Sequence, residues 1–320
     1  MNIGILGSGF IVDVFCENSK MYKDINTYAI WGRHEEKIKK FTNFKKYYTN
    51  VDEFFNDKNI DVVYVALPNS LHFEYAHKAL KAGKHVLLEK PFCLTTKQAK
   101  TLMDYAKKQK LFLFETIMTL HAPNYIKLKS FINKIGEIKM VDANFSQYSR
   151  RYEKFKNGIT LPAFDYKLAG GALLDLGVYN IHFVCGLFGK PKAVNYYPNI
   201  LKKVDTSGVL VLDYGKFKAN LVAAKDCKAE CFATIQGDKG YIKVNSTTSR
   251  CSSFDIVYND GTKKSFVGED GEFVAWKTLY GDIIKIYKKK DYDACYKLLD
   301  NTLIVQKVLE QAIKNGKLNY

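Results

Sequence analysis

Two kinds of residue in this chain suggest chemistry: glycines spaced to receive a phosphate, and a lysine, an aspartate and a tyrosine placed to move a proton. The glycines lie in Gly7-Ser8-Gly9-Phe10-Ile11-Val12, which follows a short apolar run and opens a helical pattern. The first glycine permits a tight turn and the second lets the backbone approach a pyrophosphate at the positive end of a helix. Gly7, Gly9, Phe10 and Ile11 are therefore expected dinucleotide contacts. Val12 departs from the pattern, because Gly or Ala usually stands there so that helix and strand can pack closely. The next strand ends in Ala29-Ile30-Trp31-Gly32-Arg33-His34, without the carboxylate that would hold ribose hydroxyls. Arg33 can instead pair its guanidinium with a 2′-phosphate, and Lys37 adds charge one turn on. The expected coenzyme is NADP, with NAD the alternative; a solvated arginine at a strand end is the ordinary structural use of the same residue.

Lys90 stands in Glu89-Lys90-Pro91, just past another apolar run. Asp175 and Tyr179 are four apart, so on a helix they project from one face. Hydride transfer between a carbinol carbon and a nicotinamide needs a group that moves the hydroxyl proton. A phenol of pKa about 10 is too weak a base unless a cation within about 4–6 Å favours phenolate. On this reading Tyr179 is the acid/base, Lys90 supplies positive charge, and Asp175 orients Lys90 or binds a substrate hydroxyl. Glu89 anchors its loop by accepting a backbone or lysine hydrogen bond. His182, three beyond Tyr179, is placed either to line the same pocket and share the proton or, as a lone helix histidine more often is, to be a packed or surface residue; it is not assigned as catalytic.

The elements that must position these groups are legible in outline. Apolar runs at Asn2–Leu6, Tyr28–Trp31, Asp61–Ala66, Val86–Leu88 and Leu111–Phe114 alternate with helical patterns at His34–Phe41, Leu71–Ala82 and Thr95–Lys108. That alternation predicts a parallel sheet with crossover helices. From about Lys139 the texture changes to a succession of strands with short turns: Lys139–Tyr148, Val209–Asp213, Lys216–Ala224, Glu230–Ile235, Tyr241–Val244 and Phe254–Tyr258. Such a succession predicts an antiparallel sheet. Helical stretches at Ala172–Phe188, Phe273–Lys288 and Tyr292–Lys314 complete it. The expected boundary falls near residue 119, giving a dinucleotide-binding domain over 1–119 and a substrate-binding and dimerisation domain over 120–320.

Glu89-Lys90-Pro91 and Gly170-Gly171-Ala172-Leu173-Leu174-Asp175-Leu176-Gly177-Val178-Tyr179, with Ala66-Leu67-Pro68-Asn69-Ser70-Leu71-His72 and Gly237-Asp238-Lys239-Gly240, carry a family resemblance. Together they resemble the glucose-fructose oxidoreductase and inositol dehydrogenase (Gfo/Idh/MocA) family nearly end to end. Tyrosine, not histidine, follows the aspartate by four, which is similar to the branch of dimeric dihydrodiol dehydrogenase and glucose-fructose oxidoreductase. The resemblance implies an α/β protein: an N-terminal Rossmann domain, doubly wound on a parallel sheet, and a C-terminal α/β domain on an open, mostly antiparallel sheet. It also implies that Pro68, Asn69, His72, Glu89 and Lys90 line the coenzyme side. The activity it implies is hydride transfer between NADP or NAD and a secondary hydroxyl or carbonyl of a sugar, polyol or cyclic diol. A catalytically silent dinucleotide sensor of the same fold is the other use.

Composition narrows the classes. With 47% hydrophobic residues the chain can bury a core, which excludes overall disorder. Seven scattered cysteines without a Cys-x-x-Cys pair predict neither a disulfide framework nor a metal site. The net charge of +16 invites nucleic acid, yet arginine occurs only at 33, 150, 151 and 250 and the lysines are spread along the whole chain. No specific nucleic acid is expected as partner. Arg150 and Arg151 read equally as pocket mouth or exposed rim. No membrane is expected either, since the apolar runs considered are shorter than a span, and the reading is of a cytoplasmic protein. Alternating apolar positions at Val209, Val211, Leu221 and Ala223 are read as one open sheet face, through which a homodimer forms.

Overall fold

The apolar runs of the first third assemble into one parallel sheet because helices on both faces leave their strands no water to meet. In chain order the elements are β1 (Asn2–Leu6), α1 (Phe10–Ser19), β2 (Asn26–Trp31), α2 (Glu35–Ile38), β3 (Lys46–Tyr48), α3 (Val51–Asn56), β4 (Val62–Val65), α4 (His72–Lys81), β5 (His85–Leu88), α5 (Thr96–Gln109) and β6 (Leu113–Glu115). Every residue of β4 is buried. The strand order is β3-β2-β1-β4-β5-β6, with every pairing parallel. Order reverses between β1 and β4, and it is outside the carboxyl ends at such a switch point that doubly wound sheets take ligands. Local signals set the helix ends: Thr95 caps α5 in a capping box with Gln98. Gly83 takes positive φ where α4 ends.

The second sheet is built from α6 (Pro123–Lys129), β7 (Ile138–Ser146), α7 (Tyr152–Lys156), α8 (Val178–Phe188), β8 (Ala193–Leu201), β9 (Val204–Asp213), β10 (Lys218–Ala224), β11 (Phe232–Gly237), β12 (Gly240–Val244), β13 (Ser253–Tyr258) and β14 (Lys263–Val267). Its order is β14-β13-β12-β11-β7-β10-β9-β8, antiparallel throughout except where β10 runs parallel to β7. One face is covered by α8, whose residues Val178 to Cys185 are all buried. Asn180 donates to the Val222 carbonyl of β10, at 2.9 Å. This burial explains why Tyr166–Phe188 is the one helical stretch among the described residues long and apolar enough to cross a membrane: 78% of its apolar window lies inside the unit.

Register corrects the expected open face. Leu221 pairs with Leu210 and Ala223 with Gly208, and both Leu221 and Ala223 are buried on the covered side. Val209 and Val211 pair with Val222 and Asn220, so the open face carries Val209, Val211 and Val222, half-buried. Side chains alternate strictly along a strand, and the four positions named from sequence mix the two phases.

The chain closes with α9 (Glu272–Lys289) and α10 (Tyr292–Asn315). The computed structural model describes residues 1–268 and 272–320, which form two compact units. These do not follow a single cut after residue 119. The first takes Met1–Thr116 with Leu279–Leu303, the second Ile117–Thr278 with Ile304–Tyr320. The reason is packing. Tyr280 stands edge-on to Phe15, at 5.3 Å between ring centroids, Tyr292 stacks on Phe112 at 4.4 Å, and Leu299 belongs to the buried cluster beside α4 and α5. Without these late residues the first sheet would expose aromatic surface.

Candidate active site

In the first unit the candidate residues gather on loops that leave the carboxyl ends of neighbouring strands. Gly7 follows β1 with φ +125°, and a Cβ there would collide with the carbonyl oxygen of Ala66. Only glycine lets the turns after β1 and β4 approach so closely. Gly9 is the N-cap of α1 and offers no side-chain cap. Nothing lies within 4 Å of where its Cβ would stand, so the space beside this N-cap is open. Phe10 is 60% exposed at the first helical position, and Ile11 is half-buried. Val12 is fully buried and packs as core. An open helix N-terminus with an exposed aromatic beside it fits a dinucleotide pyrophosphate. Arg33 and Lys37 are exposed beyond β2.

The loops after β4 and β5 are held from beneath. Pro68 and Asn69 are half-buried at the start of a short 3₁₀ turn. His72 lies elsewhere than expected. It is fully buried, with Nδ1 2.8 Å from the carbonyl of Pro91 and Nε2 2.9 Å from that of Leu67. Each ring nitrogen thus lies against a loop carbonyl, of which a neutral imidazole can donate to one, and the buried ring packs between the two loops. Burial holds its pKa below the usual histidine value, against the pull of the two carbonyls. Glu89 is likewise buried. Its Oε1 accepts from the Tyr64 hydroxyl at 2.6 Å and the Thr116 hydroxyl at 2.7 Å, and its Oε2 from the backbone N–H of Lys90 at 3.3 Å. The anchoring role holds, whereas a direct coenzyme contact through this carboxylate does not fit its burial. Burial raises the Glu89 pKa, and these hydrogen bonds with the Lys90 charge oppose the rise. Lys90 itself is half-buried at the end of β5.

In the second unit, Asp175 and Tyr179 sit where the chain enters α8, but not on one regular helix. Residues Leu173–Gly177 form a π-helical turn, and α8 starts at Val178. Wider turns of this kind are frequent at functional positions. Tyr179 is buried against the Phe145 ring, at 5.8 Å between centroids. His182 is fully buried, as the packed reading requires. Arg150 and Arg151 are exposed.

Two residues that sequence reasoning passed over organise this turn. Asp205, buried at the start of β9, accepts from the N–H of Leu173 at 2.7 Å and from the hydroxyls of Tyr196 and Tyr320, each at 2.8 Å. A Cβ on Gly171 would collide with its Oδ1, whereas one on Gly170 would collide with the Pro162 carbonyl oxygen, which accounts for the paired glycines before the turn. Burial raises the Asp205 pKa, while these donors and the charge of Lys225 oppose the rise. Lys225, directly after β10, places Nζ 2.8 Å from Oδ2 of Asp175. Asp175, expected to orient Lys90 or to bind a substrate hydroxyl, thus has a lysine partner within its own unit. The one local hint is a lone lysine closing the apolar run Leu221-Val222-Ala223-Ala224, which by itself names no partner. Among the described residues no group of three or more His, Cys, Asp or Glu side chains could hold a metal.

The switch-point loops and the open helix terminus define a dinucleotide-binding Rossmann unit. The chain belongs to the Gfo/Idh/MocA oxidoreductase family: residues 1–116 match its NAD-binding Rossmann-fold model and residues 125–243 its C-terminal domain model. It is 31% identical to the NADP(+)-dependent scyllo-inositol 2-dehydrogenase IolU of Bacillus subtilis, over 100% of this chain and 98% of that one. It is also 31% identical to trans-1,2-dihydrobenzene-1,2-diol dehydrogenase of Xenopus tropicalis, over 75% of this chain and 73% of that one. A solved 3-ketoreductase from Actinomadura kijaniata, in complex with NADP and TDP-benzene, shares the fold at TM-score 0.87 and 22% identity, covering 98% of this chain and 97% of that one.

Proposed function

We propose that this oxidoreductase prefers NADP and reversibly oxidises a secondary hydroxyl of a sugar, polyol or cyclic diol to a ketone or lactone. The reading rests on one observation: a lysine at the end of β5 and an aspartate–tyrosine pair at the entry to α8 are both present, in a chain that belongs to a family of NAD-binding oxidoreductases. When bound, the coenzyme supplies a nicotinamide ring that accepts or donates the hydride. Gly7, Gly9, Phe10 and Ile11 receive its pyrophosphate side, and Pro68, Asn69 and Lys90 its nicotinamide side. Arg33 pairs with the 2′-phosphate, a role supported by the absence of a carboxylate at the end of β2. The NADP-dependent relative named above points the same way. Tyr179 accepts the hydroxyl proton on oxidation and returns it on reduction. Lys90 stabilises the phenolate and the developing alkoxide charge. Asp175 orients a substrate hydroxyl, so the polyhydroxylated class follows from a carboxylate beside the proton-moving tyrosine. A homodimer through the open sheet face completes the proposal.

The test is a panel of polyols, aldoses and cyclic diols assayed by NADPH absorbance with both coenzymes. Oxidation with at least about tenfold preference for NADP is expected, the scale of one charged hydrogen-bonding contact. Lys90→Met and Tyr179→Phe should each lower kcat by about 10²-fold or more while still binding NADPH. Turnover at the wild-type level in either variant, or tenfold preference for NAD, would refute the assignment.

A further inference from the structure

Asp175 is half in water and Lys225 is not: their side chains are 36% and 3% exposed. The Lys225 ammonium has three N–H donors, and three groups of its own unit surround it. Asp175 Oδ2 lies at 2.8 Å, the Ala163 carbonyl oxygen accepts at 2.7 Å, and the buried Phe164 ring lies 4.4 Å from Nζ. An ammonium withdrawn from water costs several kcal/mol unless it is paired and its remaining donors are satisfied. Here carboxylate, carbonyl and aromatic face meet that condition. The backbone is fixed as well, since Lys225 N–H donates to the Thr206 carbonyl at 2.8 Å. A lysine so enclosed cannot reach a ligand, and what it can do passes through Asp175.

We infer that Lys225 is a positioning residue, which holds Asp175 in one orientation and as a carboxylate toward the substrate. The inference rests on the proposed role of Asp175. The charge also serves Asp205, so one ammonium faces two carboxylates, one at the surface of the π-helical turn and one beneath it. The other titratable side chains of α8 are Tyr179, His182 and Cys185, and the hydroxyls of Tyr196 and Tyr320 are bonded to Asp205. Asp226, next along the chain, is turned to the hydroxyls of Thr206 and Ser207. The covered face of β7 adds only apolar Val141, Ala143 and Phe145.

Carbon-13 labelling of the aspartates, with Asp175→Asn to assign the signal, follows the Asp175 carboxyl through a pH titration of the full chain. In Lys225→Met its midpoint should rise by about one pH unit, because an opposite charge at this range lowers a carboxyl by about 1–3 units. In Lys225→Arg it should stay near the wild-type value. With an accepted substrate, Lys225→Met should lose about 10–100-fold in kcat with the KM for NADP unchanged, and the acid limb of its pH profile should move upward with the carboxyl. Lys225→Arg should recover part of kcat and keep the wild-type limb. Should the methionine variant fail to fold, Lys225→Gln keeps a donor for the Ala163 carbonyl and is judged by the same shifts. An unchanged Asp175 titration on removal of the charge would overturn the inference. Absence of any accepted substrate would instead overturn the proposed function, while the titration would still decide what Lys225 does.

Discussion

The imidazole of His72 is fully buried between the loops that follow β4 and β5. A histidine after Pro68-Asn69 reads as a ligand contact, yet the ring is fully buried with a loop carbonyl against each nitrogen, one of which a neutral ring can donate to. The consequence is testable through acid sensitivity. Burial holds His72, and with it His77 and His85 of the same unit, below the ordinary value of 6.5. The unfolded chain therefore binds protons near pH 6.5 that the native state refuses. Stability present above that pH is lost as pH falls through it toward the folded values. The melting temperature should drop by a few degrees between about pH 7.5 and about pH 5.5, and less steeply in His72→Gln. Thermal scans that are flat over this range, or equally steep in the variant, would contradict the assignment. Glu89, Lys90, Asp175 and Tyr179 stand out in the sequence because their types and spacing are distinctive, and their roles remain proposals. Lys225 and Asp205 do not stand out, because their meaning depends on β9 and β10 lying under the turn, which no local spacing announces.

Elements divide by position in their sheets. The strands missed from sequence are β3, β8 and β14, and each is an edge. β3 is three residues long, β8 contains Pro198, and β14 begins Lys263-Lys264 and is mostly exposed. Edge strands are kept short, charged or proline-bearing to discourage further pairing, and those same features erase the apolar alternation by which strands are read. Interior strands kept it. The turn into α8 failed for another reason: apolar residues run without interruption, and no period distinguishes an α-helical turn from a π-helical one. What fixes that turn is Asp205, so Asp205→Ala should destabilise the protein by about 2–4 kcal/mol, the range for removing a buried multiply bonded polar group. Asp205→Asn, which keeps the shape and two acceptor contacts, should cost less than half as much. Urea unfolding of both variants decides the matter, and equal costs would mean that the carboxylate does not organise the turn.

At the scale of the whole molecule, the open face of the second sheet carries Val209, Val211 and Val222 between polar neighbours, with Tyr197 65% exposed on edge strand β8. A twofold pairing through this face would bury the valines against their own copies. Light scattering should find a dimer for the wild-type chain and a monomer for Val222→Lys, with folding intact; a wild-type monomer at micromolar concentration would remove the dimer from the proposed function. The return of Leu279–Leu303 into the first unit has a consequence of its own. On the ribosome, the nascent nucleotide-binding unit must wait, unfinished, while the whole intervening stretch is translated, since the tyrosines that seal Phe15 and Phe112 are synthesised last. Chaperone demand during synthesis should accordingly peak after the first sheet has emerged and subside only once α10 clears the exit tunnel.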